Sequence, residues 1–167
     1  VSGEGAADFL ERLCANRVAR GVGQITYTQM LNPRGGIECD FTVTRLEEDR
    51  FRIVTGTAFG QHDLAWLRQH APDDGSLHVA DVTSSLACFG LWGPRTREIL
   101  QPLTTADLSN EAFRYMTAQE LADAARRHAV KNRNGQCLEA EPAQELHVAR
   151  AATAEPEVLP RDDDLSA

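Results

Sequence analysis

The sequence has almost no lysine and, over its last third, no aromatic side chains. Lys131 is the one lysine, and the six Phe, two Trp and two Tyr all lie at or before Tyr115. It has no C-x-x-C pair. Cys14, Cys39, Cys88 and Cys137 stand far apart, which excludes a zinc ribbon or a redox dithiol. No apolar run approaches the roughly 18 residues of a membrane span. The chain does not open with the basic-then-apolar stretch of a secretory signal, and no G-x-G-x-x-G marks a dinucleotide turn. Basic charge is not in excess either: the net charge is −8 at pH 7, which argues against a phosphate-backbone partner. The expectation is a cytoplasmic protein with reduced thiols and neither nucleic-acid nor membrane partners.

What is present suits one domain. The chain has 167 residues, 42% of them hydrophobic, enough for a core and too apolar for wholesale disorder. The apolar pattern stops early. Past about residue 121 the composition turns to Ala, Glu, Arg and Pro, then to Asp162-Asp163-Asp164. We expect a folded part over 1–121 and a disordered or poorly packed tail over 122–167. A patternless Ala- and Arg-rich tail is also what a shifted reading frame of a GC-rich gene would give. The chain begins with Val1 in place of Met, so a fragment is expected.

Within 1–121 the periodicities alternate. Ala6, Phe9, Leu10, Leu13 and Cys14 mark one helical face. Residues 24–30, 37–46 and 51–55 read as three strands, joined by Asn32-Pro33-Arg34-Gly35-Gly36 and by a polar Glu47-Glu48-Asp49 turn. They form an antiparallel meander. A helix is expected over 60–70, ended by Pro72-Asp73-Asp74-Gly75, with strands over 77–82 and 86–91. A helix opened by Gly93-Pro94 follows, its face carrying Thr96, Ile99, Leu100 and Leu103. The fold class is α+β.

The chemically informative residue is Asp40, inside an apolar β-run. Strand interiors disfavour Asp, and a buried carboxylate costs several kcal/mol unless paired. Period-two geometry sets Glu38, Asp40, Thr42 and Thr44 on one face and Ile37, Cys39, Phe41 and Val43 on the other. The second face is the core; the first is either solvated or the wall of a polar pocket.

The segment M-L-N-P-R-G-G-I-E-C-D-F-T-V-T-R-L resembles the folate-binding aminomethyltransferase domain, the fold of the glycine-cleavage T-protein. That domain also forms the C-terminal half of FAD-dependent dimethylglycine and sarcosine dehydrogenases. Three further blocks follow in order: F-R-I-V-T-G-T-A with H-D-L-A-W-L, then F-G-L-W-G-P-R-T-R-E-I-L, then D-L-S-N-E-A-F. The likeness is strongest to the flavin-linked demethylases and covers roughly residues 1–121.

The resemblance implies a partial aminomethyltransferase fold. It also implies transfer of a one-carbon unit from a dimethylglycine-, sarcosine- or glycine-type amine to tetrahydrofolate. Asp40 matches the family aspartate beside the reacting nitrogen, where a carboxylate would orient the folate and assist proton movement. Thr42 and Thr44 are implied pocket walls, and Met30, Leu31, Thr55 and Gly56 match positions near the pterin. FAD would belong to the other half of a full-length relative. The family's later Arg-containing strand and G-E-L-G-W-E-L-type block do not follow residue 121. The resemblance therefore implies one wall of a site on an inactive, truncated piece. A non-catalytic branch, the phosphatase regulatory subunit, is the alternative.

The remaining polar residues have plainer readings. His62 and His70 are spaced more widely than an H-E-x-x-H pair, so no metal is expected. Asp63 is expected to cap or solvate its helix, Trp66 to join the core, and Trp92-Gly93-Pro94 to form a strand-to-helix junction. Arg95 and Arg97 read as helix-surface charges.

Overall fold

A computed structural model describes residues 1–121 and the backbone of a short strand at 147–150. Its elements are α1 (Ala6–Leu13), β1 (Ile25–Leu31), β2 (Ile37–Glu47), β3 (Arg50–Thr55), α2 (Gly60–His70), α3 (Thr96–Leu100), β4 (Thr117–Glu120) and β5 (His147–Arg150). Helices and antiparallel strands mix as the α+β expectation has it. Among the described residues no helix is long and apolar enough to cross a membrane.

The centre is a three-stranded antiparallel sheet in the order β1-β2-β3. Its first turn is built by Asn32. That side chain's Oδ1 accepts from the backbone N–H of Arg34 and of Gly36, each at 2.9 Å, closing an Asx-type turn. Gly35 takes φ +80, and a Cβ on Gly36 would meet the Asn32 amide nitrogen at 2.9 Å. Gly35 thus takes a backbone conformation that side chains rarely adopt, and a side chain at Gly36 would press on the Asn32 amide that builds the turn. The turn fixes the register Gln29↔Asp40, Thr28↔Phe41, Tyr27↔Thr42, and β3 continues it with Thr42↔Val54.

That register decides which side chains enter the core. Cys39, Phe41 and Val43 face inward and are at most 3% exposed. Their partners on β1 must share that face. Met30, Thr28 and Thr26 are therefore buried, while the larger Tyr27 is left half exposed. Thr28 is tolerated inside because its Oγ1 accepts from the Asn16 N–H at 3.0 Å. Ile37, expected on the core face, is exposed because it lies at the turn, where the pairing slips by one residue.

Helix α1 covers this face with Ala6, Phe9 and Leu10, and α2 adds Leu67. Trp66 packs half-buried against the same cluster, as expected. Asp8 near the start of α1 and Arg12 near its end suit the helix dipole. The Glu11 carboxylate accepts from the N–H groups of Val18 and Ala19 at 2.5 Å each, holding the following loop against α1.

The second half departs from expectation. The strands expected over 77–82 and 86–91 do not form. Residue His78 makes one bridge to Ser2, and a 3-10 turn, Thr83–Ser85, interrupts the rest. Leu77 and Val79 do pack against the core, but among the described residues no neighbouring strand runs alongside, and a strand without a ladder leaves its backbone groups unpaired. Consequently Trp92 precedes its helix from an exposed coil, not from a strand. Helix α3 continues as a 3-10 turn, Gln101–Leu103; Leu100 packs near Leu108, Phe113 and Leu121, whereas Ile99 is exposed. Strand β4 pairs antiparallel with β5, and Thr117 bridges Gln24 beside β1. Cys137 and Asp162-Asp163-Asp164 lie outside the described residues.

Leu10 is fully buried at the α1–sheet contact. Leu10→Ala is expected to lower stability by about 2–5 kcal/mol, read as a drop in urea midpoint at unchanged slope.

Candidate functional site

The sheet has two chemically different faces. On the outer one, Asp40 is exposed beside Gln29, whose Nε2 donates to Asp40 Oδ1 at 3.4 Å. The Asp40 carboxylate, close to the Tyr27 phenol, raises that phenol above its ordinary pKa. Thr42 stands next to Asp40 on the same face, between Tyr27 and Val54 in the ladder. The result is a flat patch of carboxylate, amide, phenol and hydroxyl groups, flanked by the exposed apolar surface of Val54. Thr44 shares the face but is buried at its other end, near Ile25, whose N–H donates to the Met116 carbonyl at 2.9 Å.

The inner face carries a second polar cluster, which the sequence did not reveal. Asp63 neither caps α2 through its side chain nor lies in solvent; it is 3% exposed. Its carboxylate is held from several sides. Thr55 Oγ1 donates to Oδ2 at 2.5 Å, and His62 Nδ1 lies 3.0 Å from Oδ1. The Cys39 thiol lies beside it, with the donor atoms of Cys39, His62 and Asp63 all within 4.8 Å of one another. Burial, with Asp63 nearby, pushes that thiol up to about 12. Asp63 sits in the first turn of α2, where the helix dipole favours negative charge. On the solvent side His62 Nε2 approaches Glu38 at 3.8 Å, and Asn32 Nδ2 donates to Glu38 at 2.7 Å. A chain of polar contacts thus links the Asn32 turn to the end of β3. His70 takes no part: its Nδ1 bonds the Trp66 carbonyl of its own helix at 2.8 Å.

The residues selected from the sequence are therefore divided. Asp40, Thr42 and Thr44 share the outer face. Met30 is fully buried in the core, and Thr55 points to Asp63 on the inner side. Leu31 and Gly56 are exposed at strand ends. Tyr27 and Gln29, which complete the Asp40 patch, were missed, although their alternation on β1 opposite β2 was the available signal. A shallow cavity of about 180 Å³ lies between Val22–Gln24 and the 112–119 segment, and none of the selected residues lines it.

Residues 1–154 match the family model described as the GCVT N-terminal domain. The mitochondrial dimethylglycine dehydrogenase of Rattus norvegicus is 32% identical over 122 residues, 72% of this chain and 14% of that protein. The aminomethyltransferase of Geobacillus thermodenitrificans is 34% identical over 136 residues, 81% of this chain and 36% of that protein. The glycine cleavage system aminomethyltransferase T of Bartonella henselae superposes with a TM-score of 0.50 at 25% identity, covering 70% of this chain and 31% of that one. The chain thus spans about a third or less of the length of these relatives.

The two faces should respond differently to truncation. Thr55→Val removes a donor to a buried carboxylate and is expected to cost about 1–3 kcal/mol. Asp40→Ala, on the exposed face, is expected to stay within about 0.5 kcal/mol. Chemical denaturation of both variants checks the contrast.

Proposed function

The chain belongs to the GCVT N-terminal domain family, and from that premise we propose that its outer sheet face forms one wall of a tetrahydrofolate site. In this reading the site serves one-carbon transfer from a demethylated amine of the dimethylglycine, sarcosine or glycine type. The carrying observation is Asp40, exposed directly after the Asn32 turn and braced by Tyr27 and Gln29. The patch fits the polar edge of a reduced pterin: it offers a carboxylate acceptor, an amide and two hydroxyls, with Val54 as an apolar neighbour. It is flat, so a second wall must come from elsewhere, in keeping with a chain that spans 36% of an aminomethyltransferase. The folate-binding residues are assigned to 1–121. FAD is assigned to no residue of this chain and belongs to a flavin-bearing relative.

Tetrahydrofolate supplies the nitrogen nucleophiles that take up the carbon. Asp40 would accept a hydrogen bond or proton at that nitrogen and offset positive charge as it develops. Tyr27 and Gln29 would hold the carboxylate in one orientation, which spares the cost of ordering it when folate binds. Thr42 would supply a hydroxyl alongside. Met30 and Thr55 would act through the sheet, by packing and by tethering Asp63, while Leu31, Gly56 and Thr44 would shape the margins.

Titration of the 167-residue chain with tetrahydrofolate, followed by tryptophan fluorescence and thermal melting, tests binding. Quenching and a raised Tm are expected, with at least about tenfold weaker binding in Asp40→Ala, a loss of 1.4 kcal/mol or more. No response in either signal would contradict the proposal and favour a non-catalytic regulatory role. In a complete flavin-linked relative, replacing the aspartate that matches Asp40 should impair methylenetetrahydrofolate formation more than amine oxidation. Equal loss of both would make that residue structural.

A further inference from the structure

We propose that Cys39, His62 and Asp63 form a three-ligand site for a borderline-soft divalent cation of the zinc class. The donor atoms, one from each side chain, all lie within 4.8 Å of one another. A thiolate, an imidazole and a carboxylate are the ligand types zinc takes, and three protein ligands with one open position describe its non-structural sites. The expectation of no metal rested on the wide spacing of His62 and His70. The fold supplies a different third donor, from β2, that no spacing along one helix could show.

The surroundings are those of a supported site. Thr55 donates to Asp63 Oδ2, leaving Oδ1 toward His62. His62 presents Nδ1 inward, while its Nε2 faces the Glu38 carboxylate, which Asn32 holds in turn. A carboxylate behind the far nitrogen of a histidine is the arrangement that orients metal-bound imidazoles. Cys39 and Asp63 are buried, whereas His62 is half exposed and leaves a path from solvent and a position for water.

One hydrogen serves the His62–Asp63 pair, and the Cys39 thiol stands beside the same carboxylate. A cation at their centre would leave the imidazole hydrogen on Nε2, on the Glu38 side, while the thiol releases its proton to solvent. Tetrahedral bonds of 2.0–2.3 Å set donors about 3.5 Å apart. The widest pair therefore has to close by about 1 Å while the His62–Asp63 pair, now at 3.0 Å, opens slightly, an adjustment in which the half-exposed His62 ring can take part by rotation. Cys39 and Asp63 lie on the inner side of the sheet, and the test below uses no folate, so its failure is distinct from a failure of folate binding at Asp40.

Cobalt(II) titration of the reduced, metal-free 167-residue chain reads this directly. One equivalent should produce a near-ultraviolet thiolate-to-cobalt band with visible bands of tetrahedral intensity, and zinc(II) should abolish both. Cys39→Ser should lose the near-ultraviolet band, and the Cys88→Ser/Cys137→Ser double variant should keep it. His62→Ala, with its fold checked by circular dichroism, should weaken cobalt binding about tenfold or more. A wild-type chain without the band, a band that persists in Cys39→Ser, or an affinity within twofold in His62→Ala would each overturn the proposal.

Discussion

The alternation of β2 is the constraint on which everything else rests. A strand turns successive side chains to opposite sides, so Cys39 and Asp40 cannot share a face. Hydrophobic burial settles which goes where: Phe41 and Val43 are drawn under α1, and Cys39 goes with them. Asp40 and Thr42 are thereby turned outward at no cost in desolvation. A one-residue slip would exchange the two sets. The Asn32 turn guards against it, through two backbone bonds to one side-chain oxygen and two glycines that a Cβ would not replace.

The same alternation divides the polar chemistry into two sites back to back. On the outer side Asp40 is open to solvent and hydrogen-bonded by Gln29. On the inner side Asp63 is closed in by Thr55, His62 and Cys39. A buried carboxylate is tolerable only when its lone pairs are met, and its neighbours come from different places: the end of β3, the start of α2, the start of β2. Asp63 therefore ties α2 to the sheet. Any ligand set found there would be a by-product of that structural tie, with the one exposed member, His62, linking it through Glu38 to the turn before Asp40.

Much of this was legible in the residues. The apolar spacing of α1, the three strands and their turns, α2, and the two faces of β2 follow from local periodicity and turn chemistry, and the family from four ordered blocks. Three things were not. The strands expected at 77–82 and 86–91 had suitable composition, but a strand needs a partner, and partnership is not written in a local pattern. Thr26 and Thr28 lie inside and Tyr27 outside because the register with β2 overrides side-chain size. Asp63 read as a helix-surface acid because its partners Thr55 and Cys39 stand 8 and 24 positions away in the chain.

The central claim is that the outer face of β2, and not the inner one, meets tetrahydrofolate. Amide chemical-shift mapping of the isotope-labelled chain during tetrahydrofolate addition tests it most directly. Perturbations concentrated at Tyr27, Gln29, Asp40 and Thr42 are predicted, with Thr28, Cys39 and Phe41 little changed. Shifts confined to the inner positions or to the 112–119 segment, or none at saturating folate, would contradict it.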